Sequence, residues 1–136
     1  MNEHYKEWLQ LLEFRHVNVL MGKKELSDID VAFVEGAIAT DKDEEKLKKI
    51  RSVSKKLVSI GSCAVKGKPS GQRNDFGPEK QEEIKPYIIR WGLKDKVKTV
   101  KECVAVDDEV DGCPMSEEVF LNVLNKYLKE FGVSNA

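Results

Sequence analysis

Apolar residues recur along the chain at two different spacings, which predict a mixture of helices and strands. Near the N-terminus, Tyr5, Trp8, Leu9 and Leu12 share one helical face, which predicts an amphipathic helix. The stretch HVNVLM at residues 16–21 is typical of a short strand. The continuous apolar run VAFV within IDVAFVEGAI is typical of a strand covered on both faces, as in a parallel sheet.

The middle of the chain predicts a capped helix, a strand and a long loop. Thr40 or Asp41 can cap the helix, and Glu44 follows Asp41 by three residues. The helix then continues with an apolar stripe of Leu47, Ile50, Val53 and Leu57. The next strand, KLVSIGS, ends at residue 62, and residues 63–79 are rich in Gly, Pro, Ser and Asn. That segment is long for a connector in a small domain, so we interpret it as a functional loop.

The last third of the chain predicts two further helices around an extended segment. Ile84, Ile88 and Trp91 share a face, which predicts a helix over 80–94 that Pro86 interrupts. The stretch KTVKECVAVDDEV is interpreted as extended. A final helix is predicted from about Ser116. Its wide apolar stripe comprises Val119, Phe120, Val123, Leu124, Tyr127, Leu128 and Phe131.

Alternation of strands and helices over a single domain, residues 1–136, predicts an open α/β sheet that is mainly parallel. In such sheets ligands bind beyond the carboxyl ends of the strands. Three predicted loops occupy those ends: one follows VAFVEGA, one opens with Cys63 and one contains Cys113. Two of the three loops therefore contain a cysteine.

Composition narrows the possible partners and the compartment. The 24 acidic and 23 basic residues are interspersed, which gives no electrostatic reason to expect nucleic acid as a partner. No apolar run is long enough to span a bilayer, and MNEHYKEW lacks the pattern of a signal peptide, so we expect a cytoplasmic protein without a transmembrane segment. Three cysteines in such a chain favour reduced thiols, metal ligands or packing residues over disulfides.

The contexts of Cys63 (IGSCAV) and Cys113 (VDGCPM) are compatible with ligands of an iron-sulfur site. Glycines beside both cysteines allow backbone N–H groups to turn toward a nearby sulfur. Pro114 fixes the backbone after Cys113 and can open the following helix, whose N-terminal dipole favours a negative sulfur. Each cysteine alone is better explained by packing, but two at one sheet edge are stronger evidence for a shared site.

Other chemically notable residues have simpler explanations. Cys103 lies within CVAV without a neighbouring glycine or proline, so we interpret it as a packed strand residue. His4 and His16 form no ligand pair with a cysteine. Glu35 ends an apolar strand before Gly36, and it either emerges into solvent or forms a semi-buried carboxylate beside a ligand, which could hydrogen-bond or relay protons.

The ordered motifs VAFVEGAI, KLVSIGSCAV, GQRN and VDGCPM resemble the small subunit of nickel-iron hydrogenases and the related subunit of NADH:quinone oxidoreductase. The resemblance extends over residues 10–130 and is greatest to the soluble, cytosolic type. It implies a flavodoxin-like α/β domain, with helices on both faces of the sheet, that contains a proximal 4Fe-4S cluster. The cluster would transfer electrons between a hydrogen-activating site in a large subunit and further electron-transfer subunits.

Position by position, the resemblance assigns metal-ligand roles to Cys63 and Cys113. It implies that Gly61, Ser62, Gly112 and Pro114 line the cofactor site and that Glu35 is the acid beside the active-site interface. The loop around Arg73 and Asn74 would face the partner subunit or the cluster.

The sequence departs from the family at its N-terminus. The family's first two cluster ligands come from a C-x-G-C motif after an initial strand, and neither the motif nor that strand is present here. We therefore interpret the chain as an N-terminally shortened subunit of an oxidoreductase rather than a stand-alone enzyme. The alternative is an interaction or scaffold subunit that keeps the fold and the large-subunit contact but contains no cluster. A free flavin-binding module is disfavoured because the phosphate loop after a first strand is missing.

Overall fold

The computed structural model describes residues 5–14 and 26–133, and it contains two sheets. The helices are α1 (Tyr5–Leu11), α2 (Asp41–Ser52), α3 (Ser62–Lys66), α4 (Pro78–Arg90) and α5 (Glu117–Glu130), with a short 3-10 helix at Gln72–Asp75. The strands are β1 (Ile29–Glu35), β2 (Ile38–Thr40), β3 (Ser54–Ile60), β4 (Leu93–Lys98) and β5 (Asp108–Val110). The strand predicted at residues 16–21 and the two histidines lie outside the described residues.

The main sheet is parallel, as the sequence predicts, and has the order β1-β3-β5. Ala32 pairs with Leu57 and Phe33 with Val58 across β1 and β3, and Ile60 pairs with Val110 across β3 and β5. Because all three strands run in one direction, their carboxyl ends meet at a single edge. A second, antiparallel sheet consists of β2 and β4.

Helices cover both faces of the main sheet, which confirms the α/β prediction. Leu57 and Val58 are neighbours in β3 and therefore point to opposite faces. Leu57 belongs to one core cluster with Leu47 of α2 and Ala64 of α3. Val58 belongs to a second cluster with Tyr127 of α5. All five side chains are buried, so each face of the sheet has its own core.

Capping interactions begin the two main core helices where the sequence predicts. Thr40, rather than Asp41, caps α2. Its hydroxyl accepts from the Asp43 N–H at 3.1 Å, and the Asp43 carboxylate accepts from the Thr40 N–H at 2.9 Å. Ser116 caps α5 by accepting from the Val119 N–H. These caps satisfy backbone donors that the first turn of a helix leaves unpaired.

The segment around α4 differs from its prediction. The helix is continuous through Pro86, because this residue is exposed and the carbonyl that loses its partner can be hydrated. It ends at Arg90, and β4 begins at Leu93 within the stretch predicted as helix. Trp91 follows the end of the helix and is 62% exposed, with its ring against that of Tyr87. No helix within the described residues is long and apolar enough to cross a membrane.

Candidate functional site

The two cysteine-containing loops are hydrogen-bonded to each other at the carboxyl edge of the main sheet. The Gly61 N–H donates to the Val110 carbonyl at 2.7 Å, which continues the pairing of β3 and β5 past the last paired residues. The Ser62 N–H then donates to the Gly112 carbonyl at 3.0 Å. The loops that lead to Cys63 and to Cys113 therefore lie side by side, as the parallel topology predicts.

Cys63 lies in the first turn of α3 and is half-buried. The hydroxyl of Ser70 donates a hydrogen bond to its Sγ at 3.0 Å. This donor comes from the loop after α3. The hydrogen bond therefore connects the Cys63 side chain to that loop.

Cys113 is exposed, in a tight turn between β5 and α5. Gly112 and Met115 form an isolated antiparallel bridge around it, and the bond between Cys113 and Pro114 is cis. The prediction that Pro114 opens the following helix is wrong, because α5 begins at Glu117 after its cap, Ser116. Cys113 therefore lies in the turn before α5 and not at the N-terminus of that helix.

The two glycines at this edge adopt backbone conformations that favour glycine. Gly61 and Gly112 have φ angles of 83° and 120°, which side-chain-bearing residues rarely adopt. At Gly112 an added Cβ would lie 2.6 Å from the Pro114 carbonyl oxygen. The N–H groups of both glycines donate to protein oxygens, that of Gly112 to the Asp111 carboxylate at 2.7 Å. These two N–H groups are therefore already paired within the protein.

Asp111 is a residue at this edge that sequence reasoning missed. Its Oδ1 accepts from the Ser62 hydroxyl at 3.0 Å as well as from the Gly112 N–H, and its carboxylate pairs with Lys66. The hydrogen bond from Lys66 is the main cause of the lowered pKa of Asp111. Its only signal in the sequence is an acidic residue two positions before Cys113, which by itself indicates no role.

Glu35 ends β1 at the same edge and is exposed. A Cβ added at Gly61 would lie 3.9 Å from its Cγ, so the Glu35 side chain lies beside the loop that leads to Cys63. Of the two alternatives that the sequence leaves open, exposure agrees with a carboxylate emerging into solvent. Its position beside Gly61 nevertheless places it next to the cysteine loops.

The GQRN loop contains one structural residue and one unsatisfied cation. The Asn74 amide donates to the Val97 carbonyl at 2.7 Å and accepts from the Val97 N–H at 2.8 Å, which ties the loop to β4. The terminal guanidinium nitrogens of Arg73 are shielded from solvent and have no hydrogen-bond acceptor among residues 5–14 and 26–133. An unpaired buried donor is costly, which distinguishes Arg73 from the other surface-loop residues.

Cys103 differs from the other two cysteines in its surroundings. It is part of a turn rather than a strand, because residues 99–107 of the predicted extended segment lie between β4 and β5 and form no strand, so this part of the prediction is wrong. It is half-buried and packs against the core cluster of Leu47 and Leu57, in agreement with the predicted packing role. Burial raises the pKa of its thiol.

The protein donors fit part of a four-iron cluster. A cubane cluster is normally bound by four thiolates, and the sheet edge supplies the thiols of Cys63 and Cys113. In the described part of the chain, no group of three or more His, Cys, Asp or Glu residues is arranged to bind a metal ion. The structure therefore supplies two candidate ligands, whose loops are joined, and the other two would have to come from elsewhere.

Comparison with known proteins places these features in a family. Residues 1–127 match the family model described as NADH ubiquinone oxidoreductase, 20 Kd subunit. The chain is 33% identical to the delta subunit of sulfhydrogenase 2 from Pyrococcus furiosus, over 88% of this chain and 52% of that protein. It is 29% identical to a subunit of the F420-non-reducing hydrogenase from Methanothermobacter marburgensis, over 94% of this chain and 47% of that protein.

A solved structure supports the fold. A chain of the NAD+-reducing NiFe hydrogenase in the H2-reduced state superimposes with a TM-score of 0.79 at 22% sequence identity, over 93% of this chain and 79% of that chain. The chain spans about half the length of the two curated relatives.

Proposed function

Because the chain belongs to the NADH ubiquinone oxidoreductase 20 kDa subunit family, we propose that it is the electron-transfer small subunit of a hydrogenase-type oxidoreductase. A 4Fe-4S cluster, when bound, would supply one-electron transfer between the active site of a large subunit and a downstream carrier. The observation that supports this role is the hydrogen-bonded pair of loops that leads to Cys63 and Cys113 at one sheet edge.

The chain's own residues would hold and orient two of the four ligands. Cys63 and Cys113 would provide the thiolates, and the Ser70 hydroxyl donates a hydrogen bond to the Cys63 sulfur that would help to orient it. Gly61 and Gly112 allow the two turns to approach each other, while Ser62 and Pro114 flank the thiols. The remaining two ligands would come from outside the described residues.

A large subunit would bind at the same edge, together with further electron-transfer subunits, in the cytoplasm. Glu35 is exposed beside the cysteine loops, where a carboxylate could hydrogen-bond or relay protons across the contact. The Arg73 guanidinium lacks an acceptor among the described residues, and a partner's carboxylate or carbonyl could satisfy it after a small rearrangement of the loop.

The test is to co-express the chain with its large subunit and purify the complex without oxygen. We expect iron and acid-labile sulfide in the complex, and an electron paramagnetic resonance signal after reduction. Cys63→Ser and Cys113→Ser should each abolish or alter that signal. Cys103→Ser is the matched control, because Cys103 packs against the core and should leave the signal unchanged. Iron content that does not respond to either ligand substitution would contradict the proposal.

A second function is favoured by the incomplete donor set among the described residues. In this alternative the chain is a scaffold subunit that keeps the fold and contacts the large subunit without a cluster. The same substitutions distinguish the two functions. A scaffold predicts that Cys63→Ser and Cys113→Ser leave the hydrogenase activity of the complex unchanged and that no iron co-purifies with this subunit.

A further inference from the structure

Asp111 contacts the residue that precedes each of the two candidate ligands. Its Oδ1 accepts one hydrogen bond from the hydroxyl of Ser62, which precedes Cys63, at 3.0 Å. The same oxygen accepts a second hydrogen bond from the N–H of Gly112, which precedes Cys113, at 2.7 Å. One carboxylate oxygen is thus shared by the two cysteine loops.

Two further contacts join the same two segments of the chain. The ammonium group of Lys66, at the end of α3, pairs with Oδ2 of Asp111. The Ser62 N–H donates to the Gly112 carbonyl at 3.0 Å, so Ser62 forms a backbone bond with Gly112 in addition to its side-chain bond with Asp111. A charged acceptor forms a stronger hydrogen bond than a neutral one, so the Asp111 carboxylate strengthens the connection that the backbone bond between Ser62 and Gly112 makes.

We propose that Asp111 is a positioning residue that sets the spacing and orientation of Cys63 and Cys113. This inference rests on the proposed function, in which both cysteines are ligands. The Ser62 side chain and the Gly112 backbone each lie one residue from a sulfur-bearing residue, so holding them on one oxygen limits the relative motion of the two thiols. Residues that orient ligands in this way commonly change metal affinity when they are replaced.

The first test uses Cd2+ as a probe for simultaneous binding by two thiols. The full chain with Cys103→Ser, which removes the third thiol, is reduced without oxygen and titrated with Cd2+ while the sulfur-to-cadmium charge-transfer absorption is recorded. Asp111→Ala should lower the affinity by about tenfold and reduce the absorption per bound ion. Unchanged affinity and absorption in Asp111→Ala would overturn the proposal.

Asparagine at position 111 separates positioning from charge. Asp111→Asn keeps an oxygen that can accept from Ser62 and Gly112 but loses the ion pair with Lys66, so it should retain most of the affinity. An equal loss in Asp111→Asn and Asp111→Ala would overturn the positioning role. Asp30→Ala is the charge control, because it removes a carboxylate that pairs with Lys55 near the opposite end of β1. It should leave Cd2+ binding unchanged.

The second measurement needs no metal and no cysteine ligand. Amide hydrogen exchange reports the Ser62 N–H, which is protected by the Gly112 carbonyl, and the Val58 N–H, which lies in the core strand β3. Asp111→Ala should reduce protection at Ser62 by about fivefold or more while Val58 stays protected, since a typical hydrogen bond stabilises by about 1 kcal/mol. Unchanged protection at Ser62 would overturn the proposal.

The Cd2+ titration also distinguishes a failure of this inference from a failure of the proposed function. If Cys63→Ser and Cys113→Ser leave Cd2+ binding unchanged in a chain with Asp111 intact, the two thiols do not act as a ligand pair, and the positioning role is overturned with it. If those variants bind Cd2+ weakly while Asp111→Ala binds as well as the parent, the ligand pair stands and only the role of Asp111 fails.

Discussion

Single backbone positions at the sheet edge tolerate little change, and Gly112 is the clearest case. Its φ of 120° is unfavourable for residues with a side chain, and a Cβ would meet Pro114 O at 2.6 Å and Met115 Cα at 3.0 Å. We expect Gly112→Ala to lower the free energy of unfolding by about 2 kcal/mol or more, measured by urea denaturation.

Gly36 provides the matched control for this prediction. It also has a positive φ, 92°, but an added Cβ would meet no atom within 4 Å. Gly36→Ala should therefore cost only the backbone strain, about 1 kcal/mol. Equal losses at the two positions would show that the contacts around Gly112 relax without cost.

At the residue scale, Cys103 and Cys113 should also differ in the reactivity of their thiols. Burial raises the pKa of Cys103, so less thiolate is present at a given pH, whereas Cys113 is exposed. We expect iodoacetamide at pH 8 to alkylate Cys103 more slowly than Cys113, because burial both raises the pKa of the Cys103 thiol and limits access of the reagent to its sulfur.

Variants with one remaining thiol make this comparison direct. Cys63→Ser with Cys113→Ser leaves Cys103, and Cys63→Ser with Cys103→Ser leaves Cys113. Mass spectrometry at fixed times gives both rates in the native fold, and unfolding the protein in urea should make the two rates similar. A difference that persists in urea would not come from burial.

At the scale of elements, the side-chain amide of Asn74 forms hydrogen bonds with β4 that a neighbouring strand would otherwise form. Asn74 in the 3-10 helix forms both of its hydrogen bonds with the backbone of Val97, which is buried. Asn74→Ala leaves a buried donor and acceptor unpaired, so we expect a loss of about 1 to 3 kcal/mol in the free energy of unfolding. The measurement is thermal or urea denaturation.

Aspartate at position 74 tests the mechanism. Asn74→Asp keeps the oxygen that accepts from the Val97 N–H but loses the donor to the Val97 carbonyl. Its stability should fall between those of the parent and Asn74→Ala at neutral pH. A stability equal to that of the parent would mean that the bond to the carbonyl contributes nothing.

Periodicity predicted the buried elements better than the edge elements. β1, β3 and α5 contain continuous or regularly spaced apolar residues, and each was predicted near its observed position. β4, with the sequence LKDKVK, is mostly polar because it pairs only with the three-residue β2 among the described strands. Its stability depends on Asn74 and on the second sheet, which local patterns do not reveal.

At the scale of the whole molecule, Glu44 connects α2 to the second sheet. Its carboxylate, 15% exposed, pairs with Lys48 on α2 at 2.7 Å and with Lys94 and Lys98 on β4 at 2.9 and 3.3 Å. Hydrogen bonds from these lysines lower the pKa of Glu44 to about 2. The unfolded chain loses these contacts, so the carboxyl there has its ordinary pKa of 4.5.

This pKa difference predicts the sign of an acid effect on stability. A carboxyl whose pKa is lower in the folded state stabilises the fold above pH 4.5, and the stabilisation is lost as the pH falls toward 2. Glu44→Gln should therefore be less stable than the parent at pH 7, and the difference should shrink below pH 4.5. Urea denaturation between pH 7 and pH 3 measures it.

Glu82→Gln serves as the control for Glu44. The ion pair of Glu82 with Lys85 lies within α4, and both side chains are exposed, so its loss should change stability little at any pH. A difference between Glu44→Gln and the parent that stays constant down to pH 3 would contradict the assignment of the effect to the Glu44 charge.

The fold and the proximity of the Cys63 and Cys113 loops could be predicted from the sequence, but the contact between these loops through Asp111 could not. The parallel sheet and the positions of Cys63 and Cys113 after strands were predicted from the sequence, and the observed order makes β3 and β5 neighbours. The role of Asp111 depends on the distance between Ser62 and Gly112, which are 50 residues apart in the chain. Contacts of that range have no local sequence signature.

The order of the main sheet also determines when the two thiols become neighbours during synthesis. β3 lies between β1 and β5, and its pairing with β5 joins Val58 to Asp108. While the ribosome has released the chain only as far as residue 107, β3 can pair with β1 but has no partner on its other side among these three strands. Cys63 thus leaves the ribosome well before the strand that brings Cys113 to it, and its thiol is present without its neighbour for that interval.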